Sequence, residues 1–129
     1  MTLTAIILLV LALYLLQIFL QETTRFGFDV RGIVGNRDNP PELTVMAGRL
    51  DRAKNNMQEA LPMFLGLALL ALATGRDTSV VTDAALVFLI ARVVYVPAYM
   101  SGIPVFRSLV WLSGVAGLVV MALPLTWQT

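Results

Sequence analysis

The sequence predicts an all-α integral membrane protein: one domain over residues 1–129, folded as a left-handed bundle of four transmembrane helices. Three observations predict it. Of the 129 residues, 58% are hydrophobic and only 13% charged, against roughly 25% charged in an ordinary soluble domain. The apolar residues fall into four runs of membrane-spanning length. Two of the three junctions between those runs are only a few residues long.

The first run, 3–20, is interrupted only by Thr4 and Gln17. A hydrocarbon core about 30 Å thick takes about 20 such residues at about 1.5 Å each. No Lys or Arg precedes this run and no small-x-small site follows it, so the expectation is a membrane helix rather than a cleaved signal. The second helix is expected over 42–74, with the apolar part from Met57 and a stop at Gly75-Arg76-Asp77. Thr78 or Asp77 caps a third helix over 79–100. Ser101-Gly102-Ile103-Pro104 reads as a tight turn, with Pro104 suited to the first turn of a fourth helix over 104–124. Trp127 reads as an interface anchor beyond it. The long connection, 21–41, ends in Asn39-Pro40-Pro41, where Asn39 is a candidate cap for a helix starting at the prolines.

Charge placement sets the expected orientation. Arg25, Arg31, Arg37, Arg49, Arg52, Lys54 and Arg107 belong to one side, and only Arg76 to the other. The positive-inside rule then puts the long loop in the cytoplasm and both termini outside. A formal charge of +1 points to no nucleic-acid partner. The chain has no Cys and no His. That excludes disulfides, a protein thiol nucleophile and the commonest general base and metal ligand, so no metal is expected.

The informative residues are the polar ones that interrupt the apolar runs, because charge inside a membrane is costly and marks function by default. Arg49, Arg52, Asn56 and Glu59 are spaced by three, four and three, within an arc of about 80° on a helix. Arg92, Tyr95 and Tyr99 share one face of the third helix. Arg92 lies about 12 Å from the Met100 end, too deep for easy snorkelling, and Glu59 is its expected partner. Arg107 and Ser108 open the fourth helix at the same end. Four arginines against Glu59 leave about three positive charges uncompensated. A structural salt-bridge network would be closer to neutral, so the surplus favours a pocket for a small anion. Gly114 and Gly117, with Ser113, read either as close-approach positions or as ordinary membrane glycines.

These residues resemble the MAPEG family, membrane-associated proteins of eicosanoid and glutathione metabolism. The strongest segment runs from Arg49 through Arg52, Asn56 and Glu59 to Pro62 and Phe64. A second match is Ala91-Arg92-Val93, then Ala98-Tyr99-Met100, then Arg107-Ser108. The segment Gly35-Asn36-Arg37-Asp38-Asn39-Pro40 is similar to the short prokaryotic type, which implies a bacterial inner membrane. The resemblance implies a homotrimer holding glutathione as cosubstrate between subunits near the cytoplasmic face. It implies that Arg52, Asn56, Glu59, Arg92 and Tyr99 bind glutathione, and Arg49 and Tyr95, on the same polar faces, are expected to join them. Arg107 stabilises its thiolate, with Ser108 the rival candidate. The implied activity is a transferase or peroxidase on lipophilic electrophiles that arrive through lipid. A trimeric glutathione or anion binder without turnover is the alternative.

The chemistry agrees with that implication. Glutathione carries two carboxylates and an ammonium, which suit arginines and Glu59 respectively. A free thiol of this type has a pKa of about 8.5, and ionising it near neutrality requires lowering that value by about two, worth about 2.7 kcal/mol. A guanidinium supplies such an effect electrostatically, since Arg does not act as a base at this pH. A small four-helix drug transporter would need an acid in its first helix, and 3–20 has none.

Overall fold

A computed structural model describes residues 1–26 and 45–126. Within them the chain forms four helices: α1, Leu3–Phe26; α2, Val45–Ala73; α3, Ser79–Ser101; and α4, Pro104–Thr126. Each is long and apolar enough to cross a membrane. Large apolar side chains such as Leu8, Leu16, Leu69, Ile90 and Leu109 stand exposed on their outer faces. Lipid makes such a surface favourable, and helices suit it because they pair their backbone groups within the segment. The chain is a multi-pass membrane protein.

Helix α1 continues six residues past the apolar run that defines 3–20. The apolar run marks what lipid requires, whereas the helix itself needs only the absence of a breaker, and Gln21 to Phe26 contain no Gly or Pro. The expected start of the second helix at Asn39-Pro40-Pro41, most of the 21–41 loop and the Trp127 anchor lie outside the described residues.

Two glycines close the short junctions. Gly75 has φ 68°, and the amides of Gly75 and Arg76 donate to the carbonyls of Leu72 and Ala71 at 3.3 and 2.8 Å. This Schellman-type stop satisfies the last carbonyls of α2. Thr78 then caps α3, its side chain accepting from the Val81 amide. Gly102, at φ 73°, ends α3 with its amide donating to Tyr99, and Pro104 begins α4 at once.

The most extensive packing is between α3 and α4, with α1 laid against α2. Phe64 and Phe88 stack at 4.7 Å between ring centroids, with Ile6, Val10, Met57 and Met121 fully buried around them. Gly117 is a true close-approach position. A Cβ there would lie 3.0 Å from the Ala84 carbonyl oxygen and 3.3 Å from the Phe88 nitrogen, both backbone atoms. At Gly114 the nearest atom, the Ala91 methyl, would be 3.7 Å away. Gly117→Ala is therefore expected to destabilise the bundle by about 1 kcal/mol or more, as overpacking does, with Gly114→Ala near neutral. Unfolding midpoints of the two variants in detergent check this; equal midpoints would refute the close-approach reading. Ser113 does not take part, since it is exposed and its hydroxyl donates to Leu109 in its own helix at 3.0 Å.

Candidate functional site

The turn at Gly102 brings the end of α3 beside the start of α4, and the polar first half of α2 packs across both. At this end of the bundle Arg52, Asn56, Tyr95, Tyr99, Arg107 and Ser108 line one cavity of about 280 Å³. Seven-residue spacing puts Arg92 and Tyr99 two turns apart on one face, and Tyr95 falls between them. Tyr95 and Tyr99 meet edge to face at 5.6 Å, the arrangement that ring quadrupoles favour. The guanidinium carbons of Arg107 and Arg52 lie 4.9 and 5.7 Å from the Tyr99 ring centroid. Tyr99 thus holds two cations near one point by its π-face, each contact worth about 0.5–2 kcal/mol.

Three sequence expectations change in detail. Arg92 does not pair with Glu59. It is buried at 3% exposure, and its Nη1 donates to Asn56 Oδ1 at 2.9 Å, with the guanidinium carbon 4.4 Å from the Tyr95 centroid. Asn56 lies one turn nearer the polar end of α2 than Glu59 and faces α3 directly. Glu59 is exposed instead, lining a smaller neighbouring cavity together with Arg92. Arg49, though on the same stripe as Arg52, is outside the cavity lining. Its Nη1 donates to the Met100 carbonyl at 2.9 Å, and its guanidinium fills the space where a Gly102 side chain would stand. A cation at the last carbonyls of α3 also complements the helix dipole. Arg49→Ala is expected to lower stability by about 1–2 kcal/mol, the range for a hydrogen bond to a charged group, while leaving ligand affinity close to the parent's. Paired unfolding and binding titrations check this; affinity falling with stability intact would return Arg49 to the site.

Arg76, at the opposite end, makes the matching contact, its Nη1 donating to the Leu125 carbonyl at 3.3 Å. The one Arg or Lys outside the polar end among the described residues is thus engaged at the end of α4.

Trp111 is the site residue that sequence reasoning misses. It lines both cavities. The signal was its spacing: four residues after Arg107 and three after Ser108 place it on their face of α4. An aromatic in a membrane helix is otherwise read as lipid-facing, which hid it.

The lining of the larger cavity is rich in hydrogen-bond donors and positive charge. It includes two guanidinium groups, an amide and three hydroxyls, and no carboxylate. A family model described as the MAPEG family matches residues 1–127. The chain belongs to the MAPEG family. No curated protein and no solved structure matches it significantly. The match spans all four helices, so the polar residues gathered at the Gly102 end belong to the MAPEG domain itself rather than to an appended segment.

Proposed function

We propose that this MAPEG protein is a membrane-bound, glutathione-dependent transferase or peroxidase acting on lipophilic electrophiles. The observation that carries this reading is the placement of Arg107. It stands beside Tyr99, Arg52 and Ser108 in a cavity whose lining carries no carboxylate. A thiol ionised there gains a guanidinium partner in a site partly withdrawn from water, where electrostatic stabilisation is strongest. Arg52 and Asn56 are placed to hold a carboxylate of the tripeptide. Glu59, exposed in the neighbouring cavity beyond Asn56, would take its ammonium. Ser108 is the rival hydrogen-bond donor to sulfur.

The assembly belongs to the same proposal. One protomer supplies about 280 Å³, just below the roughly 300–1,000 Å³ of small-molecule sites. Arg52 and Glu59 are exposed on its flank. A homotrimer, with the ligand between neighbouring subunits, would enlarge the site and cover those charges. The buried residues Ala53, Met57, Ala60, Phe64, Ala68 and Ala71 of α2 repeat at threes and fours, which supports left-handed packing. The bias of Lys and Arg supports a site end that faces the cytoplasm with both termini outside, and the likeness of residues 35–40 to the short prokaryotic type supports a bacterial inner membrane.

The test is a glutathione titration of the detergent-purified protein, following ultraviolet thiolate absorbance near neutral pH. A saturable thiolate signal is expected. Binding without that signal would leave a trimeric glutathione binder without turnover, and no binding at all would sink the reading.

A further inference from the structure

Only one of the three guanidinium nitrogens of Arg92 has a partner. Nη1 reaches Asn56. Nε and Nη2 are buried with no hydrogen-bond partner among the described residues. These two nitrogens share one edge of the guanidinium plane and present parallel N–H bonds, the fork with which Arg grips oxygen acceptors. Buried donors of a charged group left without an acceptor are strongly unfavourable, so the fold holds this fork ready for something.

Arg92 also lines a cavity of about 100 Å³, distinct from the larger one but sharing Asn56 and Trp111 with it. The other walls are mainly apolar, with Met63, Phe88, Val115 and Leu118, plus Glu59. Glu59, Met63 and Trp111 are exposed and form its mouth. The carboxylate of Glu59 at the mouth repels an incoming anion, and the apolar walls add a desolvation cost to its entry. A neutral oxygen acceptor on an apolar molecule meets neither penalty.

We infer that this cavity is a subsite for the carbonyl oxygen of an uncharged apolar molecule entering from the bilayer, held by Nε–H and Nη2–H of Arg92. Its use in catalysis rests on the glutathione reading above; the binding itself does not. In an α,β-unsaturated ketone held this way, the glutathione sulfur bonds to the β-carbon. The alkene π pair moves between the α-carbon and the carbonyl carbon, and the carbonyl π pair moves onto oxygen. The two Arg92 donors face the charge that develops there. The enolate then takes a proton at its α-carbon from water. The proton lost from the thiol returns to the solvent, so the addition balances without another reagent. The shared wall of Asn56 and Trp111 sets the alkene beside the cavity of Arg107.

The probe for binding is methyl heptyl ketone, which lacks the alkene and does not react. In the detergent-solubilised full-length protein its infrared carbonyl band is expected to shift to lower frequency, and Arg92→Lys, which keeps the charge but loses the fork, restores the free position. Val115→Phe fills the cavity without touching Arg92 and is expected to abolish the shift too, which covers a failure of the lysine variant to fold. For turnover, Val115→Phe, which lies outside the glutathione cavity, is expected to lower kcat/KM for heptyl vinyl ketone by about 100-fold, as separation from an oxyanion donor does, and to spare benzyl chloride, which has no carbonyl. An unshifted band in the parent overturns the subsite, as does a band that stays shifted in both variants. Equal losses on the two electrophiles also overturn it. A shifted band without any thiolate signal supports the subsite and overturns the glutathione reading instead.

Discussion

Arg107→Ala is expected to lower glutathione-dependent turnover by about 100-fold at pH values below the ordinary range of a thiol. The figure is the thiolate stabilisation of about 2.7 kcal/mol that corresponds to lowering a pKa by two. The sign of the pH dependence follows. On the proposed function, the parent lowers the pKa of the bound thiol, so thiolate is expected from near neutrality upward. Without the guanidinium the same thiol ionises only around pH 8.5, so the variant's deficit is largest at acid to neutral pH and vanishes as pH rises past that value. Stability should change little, because Arg107 is only half-buried and rests against the face of Tyr99. Stopped-flow thiolate absorbance and steady-state rates across pH check both halves. A deficit that persists undiminished at alkaline pH would mean that Arg107 positions glutathione rather than ionising it. Retained thiolate would transfer the role to Ser108.

Asn56→Leu is expected to destabilise the protein by about 3 kcal/mol, the upper end for losing a hydrogen bond to a charged group. Asn56 Oδ1 accepts from the buried Arg92, and the other two nitrogens of that guanidinium have no acceptor among the described residues. Leucine would leave the whole group dry in the bundle. Asn56→Asp keeps an acceptor oxygen and should hold stability near the parent's. Adding Arg92→Leu to Asn56→Leu should recover part of the loss, because removing both partners of a buried polar pair is far milder than removing one. Unfolding of the four proteins in the same detergent is the measurement. An Asn56→Leu protein as stable as the parent would show that Arg92 draws its support elsewhere, the Tyr95 face being the nearest candidate.

The four spans were legible because lipid imposes a length and a composition that no loop imitates. The polar end of the site was legible for the same reason: a residue such as Arg92 or Asn56 has no place in a membrane helix without cause. Periodicity put Arg92, Tyr95 and Tyr99 on one face, and the structure joins that face to Asn56 and Arg107. What periodicity lacks is axial position between helices. Arg49 and Arg52 share a stripe, yet one helical turn decides that Arg49 reaches the last carbonyls of α3 while Arg52 reaches the cavity. One turn likewise decides that Arg92 meets Asn56 rather than Glu59. Gly114 and Gly117 look alike in sequence. They differ only through the backbone of α3, which lies tight against Gly117 alone. The reach of α1 to Phe26 was hidden because hydropathy measures the membrane and not the helix.

Helix α2 contains 29 residues, about 44 Å of rod at 1.5 Å per residue, whereas the hydrocarbon it crosses is about 30 Å thick. The excess is a rigid mast of roughly nine residues, and Arg52 stands near its foot. A water-soluble reactant therefore never has to leave the aqueous phase to reach this end of the site, and an oily one never has to leave the lipid. The two phases are brought into register by a single continuous element. On the proposed function, the thickness of the surrounding bilayer would become a variable of the reaction itself: a thicker membrane would draw the foot of the mast under lipid and place the water-borne partner's entry behind hydrocarbon.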